Sequence, residues 1–320
     1  MRENSARLGL ALLAMVFLAI LFAFPYFSPF RDRSAGRKVS LYNVEGQLPS
    51  GVSAAEPLRV AVSAMISPRE TLEVYGEIVD YIGQKLGRPT QLIQRRTYAE
   101  VNHLLETGEV DLAFVCTRPY VEGQRDFGME LLVAPKVQGD TVYYSYIIVP
   151  LDSPVGSLAQ LRGKSFAFVD PMSNTGKLVP TYMLAKMGET PESFFSNYVF
   201  TYSHSNSIKW VARHLVDGAA VDSLVWDYAA ATDPTFTSKT KIIDKSPPYG
   251  IPPVVVSPRI DPELKERLRE IFLSMDEDER GREIIHKIMI EEFVIIDDKA
   301  YESVREMLQF VENFNLGNHK

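Results

Sequence analysis

From Leu58 onward the chain alternates short β-branched runs with amphipathic stretches, and this rhythm narrows the folds open to it more than any other feature. The run LRVAVSA (58–64) reads as a strand. Residues 69–86 follow, with Leu72, Tyr75, Ile78, Val79, Ile82 and Leu86 on one helical face, and Gly87-Arg88-Pro89 stops that helix. A strand over 90–96, a helix from Thr97 and a third strand over 110–116 come next. Strand and helix in strict alternation build a mainly parallel sheet with right-handed crossovers. Residues 138–150, with VYYSYIIV, predict a further long strand. The pattern then restarts, with strands at 165–169, 198–202 and 219–226 and helices from about Asn174 and Ser205. The proline-rich stretch 245–258 predicts a return crossing, and 261–315 an amphipathic helical tail. The expected class is α/β with two lobes. Residues 57–148 and 249–320 form lobe 1, residues 149–248 form lobe 2, and a hinged cleft lies between them.

Residues 8–30 carry no charge. At ~1.5 Å per residue a helix of that length reaches across a ~30 Å hydrocarbon core. A cleaved signal peptide has a shorter apolar region and a small-x-small exit, whereas this run ends Pro25-Tyr26-Phe27-Ser28-Pro29-Phe30. Residues 1–30 are therefore expected to be an uncleaved transmembrane anchor, and 31–56 a polar linker. Arg2, Glu3 and Arg7 precede the run, while Arg31, Asp32, Arg33, Arg37 and Lys38 follow it. That distribution does not by itself place the C-terminal bulk outside.

With 34 basic against 41 acidic residues and a formal charge of −7, the chain lacks the basic footprint of a nucleic-acid binder. A single cysteine, Cys116, rules out an intramolecular disulfide and a multi-cysteine metal site. No metal or other cofactor is expected. Gly163-Lys164-Ser165 ends like a phosphate-binding loop, but position 158 is Leu where that motif needs Gly. A hydrolase would need a nucleophile–base pair or a metal cluster, and His204 has neither a serine elbow nor an HExxH context. An enzyme is not expected.

In open α/β sheets, ligands collect at the carboxyl ends of strands beside helix starts. Two such ends are rich in hydroxyl and amide side chains. Asp170-Pro171-Met172-Ser173-Asn174-Thr175-Gly176 precedes one helix, and Ser203-His204-Ser205-Asn206-Ser207 another. Both suit an anion held by free N–H groups, and both also suit plain helix capping. In the first lobe Tyr98 stands at a helix start, Cys116-Thr117-Arg118-Pro119-Tyr120 follows the third strand, and Tyr143 lies on the crossing. Asp222 and Asp227 could hold a cation or cap turns. Cys116 suits a small buried hydrophobe or a reactive thiol.

The segments ISPRETLEVYGEIVDYIGQKLG (66–87), TYAEVNHLLETGEVDLAFV (97–115), DPMSNTGKLVP (170–180) and YSHSNSIKWVA (202–212) together resemble the phosphate/phosphite/phosphonate substrate-binding protein family of ABC transporters. The likeness runs from about Leu58 to Phe310. It implies the type II periplasmic-binding fold, in which two α/β lobes clasp a small tetrahedral oxyanion and deliver it to an ABC permease. It also implies an exported binding domain, on the periplasmic or extracytoplasmic side of a bacterial inner membrane. Ser173, Asn174, Thr175 and Gly176 would supply the phosphonyl-binding helix start, and His204 would contact the oxyanion. Tyr98 and Tyr143 would close over the ligand, with Tyr120 and Thr117 beside them. Aminophosphonate binders of the family add carboxylates, but Leu224 stands where an acid is expected, leaving Asp222 as a substitute. The resemblance admits a second role, as the ligand-binding partner of a membrane histidine kinase sensing phosphonate or an arsenite-like oxyanion through Cys116.

Overall fold

The computed structural model describes residues 56–65 and 68–318. The expected anchor over 1–30 and nearly all of the expected linker lie outside the described residues. Among the described residues, no helix is long and apolar enough to cross a membrane.

The first half-lobe is a repeated strand–helix unit: β1 (Leu58–Val62), α1 (Pro68–Leu86), β2 (Thr90–Gln94), α2 (Tyr98–Thr107), β3 (Leu112–Phe114) and α3 (Thr117–Phe127). The boundaries follow from local chemistry. Thr97 and Glu100 form a capping box at the start of α2, and Gly108, at φ 74°, closes it in the left-handed conformation. The chain continues through β4 (Glu130–Lys136), β5 (Val142–Tyr143), β6 (Ser145–Pro150) and β7 (Ser165–Phe168). A π-helical turn over Asn174–Leu178 leads into α4 (Val179–Lys186), α5 (Pro191–Phe194), β8 (Asn197–Phe200), α6 (His204–Ala212), β9 (Gly218–Asp222) and α7 (Ser223–Thr232). Then come β10 (Thr240–Lys245), β11 (Tyr249–Gly250), β12 (Val254–Val256), α8 (Pro262–Leu273), α9 (Glu279–His286), β13 (Glu292–Val294) and α10 (Glu302–Asn318).

The first sheet has the order β13-β4-β12-β3-β1-β2, with β1 parallel to β2 and β3 and with β12 antiparallel to β3 and β4. Helices cover both faces, which is why β1 is apolar almost throughout. Leu58, Val60 and Val62 pack with α1, α8 and α9, while Ala61 packs with α2, α3 and α10. The second sheet has the order β10-β6-β9-β7-β8, with β7 parallel to β8 and β9. Phe166 and Phe168 pack toward α4 and α5, whereas Ala167, Ala219 and Val221 face α6 and α7. Between the sheets, β5 and β11 pair as a two-stranded antiparallel ribbon, Tyr143 opposite Tyr249.

Four sequence expectations are corrected. The strand expected over 138–150 is broken at Tyr144, and all of β6 belongs to the second sheet. The chain therefore changes sheets at Val142–Tyr143, ahead of the 148/149 boundary. Residues 219–226 are not one strand: Asp222 accepts the Leu224 N–H at 2.8 Å and starts α7. The helical tail is interrupted by β13, which pairs with β4 through the β-branched, aromatic run after Glu292. The helix expected from Asn174 opens as a π turn, and Pro180 explains this. Proline has no N–H to give the Gly176 carbonyl, which instead accepts Val169 N–H at 3.2 Å.

Candidate functional site

The carboxyl ends of the parallel strands of both sheets meet. Ser63 follows β1, Tyr98 follows β2, and Cys116 and Thr117 follow β3. Opposite them, Asp170–Gly176 follows β7, Ser203 and His204 follow β8, and Asp222 ends β9. Hydrogen bonds run directly between the two groups. His204 N–H donates to the Met65 carbonyl at 3.0 Å, Tyr98 N–H to Asp170 Oδ2 at 3.2 Å, and Arg118 Nη1 to the Pro171 carbonyl at 2.9 Å. Tyr98, Cys116, Ser173, Asn174, Thr175 and His204 are all buried.

The turn after β7 is shaped by two small residues. Ser173 Oγ accepts the Gly176 N–H at 3.0 Å, capping the turn. A Cβ on Gly176 would lie 2.6 Å from Val169 Cγ2, so only glycine lets the turn lie flat against the strand end. These two residues hold the loop, and Asn174 and Thr175 are presented by it. The turn after β8 needs a left-handed residue, Tyr202 at φ 55°, whose ring lies under the Arg96 guanidinium at 4.7 Å. Ser203 then caps α6, and His204 occupies its first position.

His204 is fixed in one tautomer. Its Nδ1 accepts the Asp222 N–H at 3.0 Å, so the ring proton sits on Nε2. Burial pushes its pKa down to about 3, which keeps the imidazole neutral and Nε2–H a donor. Burial likewise raises Tyr98 and Tyr143 well above the ordinary phenol value and the Cys116 thiol to about 11. All three keep their protons. Asp222, also buried, is pushed up to about 7.

Among the described residues, the buried side-chain polar atoms without a protein hydrogen-bond partner include Ser63 Oγ, Tyr98 Oη, Asn174 Oδ1, Thr175 Oγ1 and His204 Nε2. All five belong to the facing strand ends. Each such buried group costs ~1–3 kcal/mol, so their concentration in one place needs a reason. Four of them are neutral donors. The Asn174 carboxamide, whose Nδ2 now donates to Tyr143 Oη at 3.0 Å, becomes a fifth by turning over. The starts of α2, α3, α6 and α7 add the positive ends of four helix dipoles. Chemically, the arrangement suits a small anion with several acceptor oxygens.

Not every expected residue joins it. Tyr120 Oη donates to Asp298 Oδ1 at 2.5 Å and its ring meets Tyr301 edge-on at 4.8 Å, so it is core beneath α10. Thr117 Oγ1 donates to the Gly250 carbonyl at 2.8 Å and braces α3 to the return crossing. Asp222 caps α7 and orients His204. The Cys116 sulfur lies 3.8 Å from Tyr143 Oη, packed with Met65 and Tyr98. Sequence reasoning missed Ser63, Met65 and the bond from Tyr98 to Asp170. Only the position of Ser63 directly after an apolar strand pointed to it. Among the described residues no cluster of His, Cys, Asp and Glu has the makings of a metal site.

Residues 60–301 match the family model of the periplasmic substrate-binding protein of phosphonate ABC transporters. The chain is 24% identical over 234 residues to the phosphonates-binding periplasmic protein of Escherichia coli, covering 72% of this chain and 69% of that protein. In fold it is similar to the binding-protein component of a phosphonate ABC transporter from Pseudomonas aeruginosa, with TM-score 0.78 and 22% identity over 82% of this chain and 89% of that one. A Prochlorococcus marinus protein solved in complex with methylphosphonate gives TM-score 0.72 and 18% identity, over 80% and 98% of the two chains. These likenesses show the α/β type II periplasmic-binding fold.

Proposed function

The chain belongs to the family of periplasmic substrate-binding proteins of phosphonate ABC transporters, and from that premise we propose that it clasps one tetrahedral oxyanion between the facing strand ends of its two lobes. The observation that carries this reading is the set of buried, unpartnered donors on Ser63, Tyr98, Thr175 and His204, aided by Asn174. A phosphonyl group offers acceptor oxygens to all of them. Hydrogen bonds to a charged acceptor are worth ~1.5–3 kcal/mol each, and micromolar affinity needs ~8 kcal/mol. Four or five such bonds reach that range once desolvation and lobe closure are offset. No cationic side chain is among them, so recognition rests on neutral donors and helix starts rather than on ion pairing. The ribbon of β5 and β11 is the hinge in this reading. The closed complex is then what an ABC permease receives.

Thermal unfolding of the full chain with phosphate, phosphite, methylphosphonate, 2-aminoethylphosphonate and sulfate tests the proposal. A ligand that binds only the folded state raises stability by RT ln(1 + [L]/Kd), so at least one phosphorus oxyanion should raise Tm in proportion to log concentration. No shift with any of the five would remove the reading. We further propose that residues 8–30 anchor the protein in the inner membrane with the binding domain outside. The uncharged run and its bulky exit support this. Vesicle flotation of the full chain should carry it to the lipid layer, and recovery in the soluble fraction would refute the anchor.

A further inference from the structure

Next to the oxyanion donors lies a chamber of about 360 Å³, lined among others by Tyr75, Phe114, Tyr146, Val225, Tyr228 and Phe293. It lies beside the donor set, linked to it through two of its lining residues. Met65 and Asp222 line it, while the Met65 carbonyl receives His204 N–H and the Asp222 N–H binds His204 Nδ1. Tyr75 also lines it and packs against the cluster of Met65, Tyr98 and Cys116. A water or methyl-sized group needs ~30 Å³, so the chamber accommodates on the order of ten non-hydrogen atoms. That far exceeds what hydrogen, methyl or aminoethyl would fill.

Several of the polar groups around the chamber are already engaged. Lys245 Nζ sits 3.6 Å from the centre of the Tyr144 ring, and Tyr146 Oη donates to Asp227 Oδ2 at 3.4 Å. Asp222 Oδ1 accepts the Leu224 N–H, and Asp140 Oδ1 the Thr141 N–H at 2.7 Å. Much of the remaining wall is apolar and aromatic, from Phe114, Val225 and Phe293 among others, which rewards an apolar occupant. Resting on the proposed oxyanion site, we propose that this chamber receives the organic substituent of the ligand. The substrate class is then a phosphonate bearing a bulky, largely apolar group, aromatic or branched, in place of a one- or two-carbon substituent.

Isothermal titration of the full chain in detergent with inorganic phosphate, methylphosphonate and benzylphosphonate tests this. Benzylphosphonate should bind at least tenfold more tightly than methylphosphonate. Val225→Trp, which fills the chamber from α7, should remove that advantage while leaving methylphosphonate binding unchanged, a result that also shows the variant folded. Ile288→Phe narrows the same chamber from the other lobe and should give the same pair of readings. Methylphosphonate binding as tightly as benzylphosphonate would overturn the chamber's role and leave the oxyanion site standing. No binding of any of the three ligands would remove both.

Discussion

His204 and Asp222 are joined by one hydrogen bond, and burial moves their titrations in opposite directions. The imidazole falls from 6.5 to about 3, and the carboxyl rises from 3.8 to about 7. Between pH 3 and 6.5 the unfolded chain holds a proton on His204 that the folded chain lacks, so this residue makes stability rise with pH. Between pH 3.8 and 7 the folded chain holds a proton on Asp222 that the unfolded chain lacks, so that residue makes stability fall with pH. The two offset each other from about pH 4 to 6.5. Thermal unfolding across this range should therefore separate them. Relative to wild type, His204→Asn loses stability as pH rises, and Asp222→Asn gains it. Slopes of the same sign in both variants would show that burial does not control these groups. Tyr98→Phe probes the donors more simply. It deletes a hydroxyl that has no protein partner, so the ligand-free protein should keep or gain stability, by ~1 kcal/mol, while the ligand Kd rises roughly ten- to a hundredfold. A tyrosine serving only as core would move neither quantity in that pattern.

At the scale of single elements, Pro180 controls the loop that presents Thr175. Because it gives no N–H to the Gly176 carbonyl, the first turn widens and that carbonyl closes onto Val169 instead. Pro180→Ala restores the missing donor and favours an ordinary α-helical turn. Titration should show about tenfold weaker oxyanion binding, with stability unchanged or higher because a proline has left the helix. Unchanged affinity would mean that the π turn does not position Thr175. Elements of this kind mark the limit of what the sequence discloses. The strand–helix rhythm was legible because both sheets are covered on both faces, which writes apolar runs directly into β1, β3 and β7. Ser173–Gly176 and His204 were legible because hydroxyl, amide and histidine side chains cluster just past strand ends. Ser63 was not, since one serine after an apolar strand looks like any strand terminus. Tyr120 misled because it lies six residues beyond the end of β3, close to Cys116 and Thr117, yet α3 rotates it toward Asp298. The break at Tyr144 was hidden for a similar reason: β-branched and aromatic residues continue through it, and only pairing partners far along the chain decide which sheet each half joins.

Across the whole molecule, the chain passes between lobes through β5 and β11, whose pairing ties the two crossings into one ribbon. The C-terminal helix adds a second link. α10 buries Val304, Met307 and Leu308 in the first lobe, while Phe310 meets Tyr182 of α4 edge-on at 5.1 Å. Amphipathicity announced this helix, but not that it reaches both lobes. The conformation described is closed: His204 N–H reaches Met65 across the interface, and Cys116, the single cysteine of the chain, has no exposed surface. The thiol can meet a reagent only when the lobes part, and its pKa near 11 suppresses the thiolate while they are together. Labelling of Cys116 by a maleimide therefore reports the open fraction of the full chain. An oxyanion that binds between the lobes and holds them closed should slow labelling by a factor of about 1 + [L]/Kd, with the Kd taken from titration. In Thr175→Ala the slowing should appear only at proportionally higher ligand concentration. A labelling rate independent of a ligand that demonstrably binds would mean that binding and closure are uncoupled, and the two-lobe clasp would have to be abandoned.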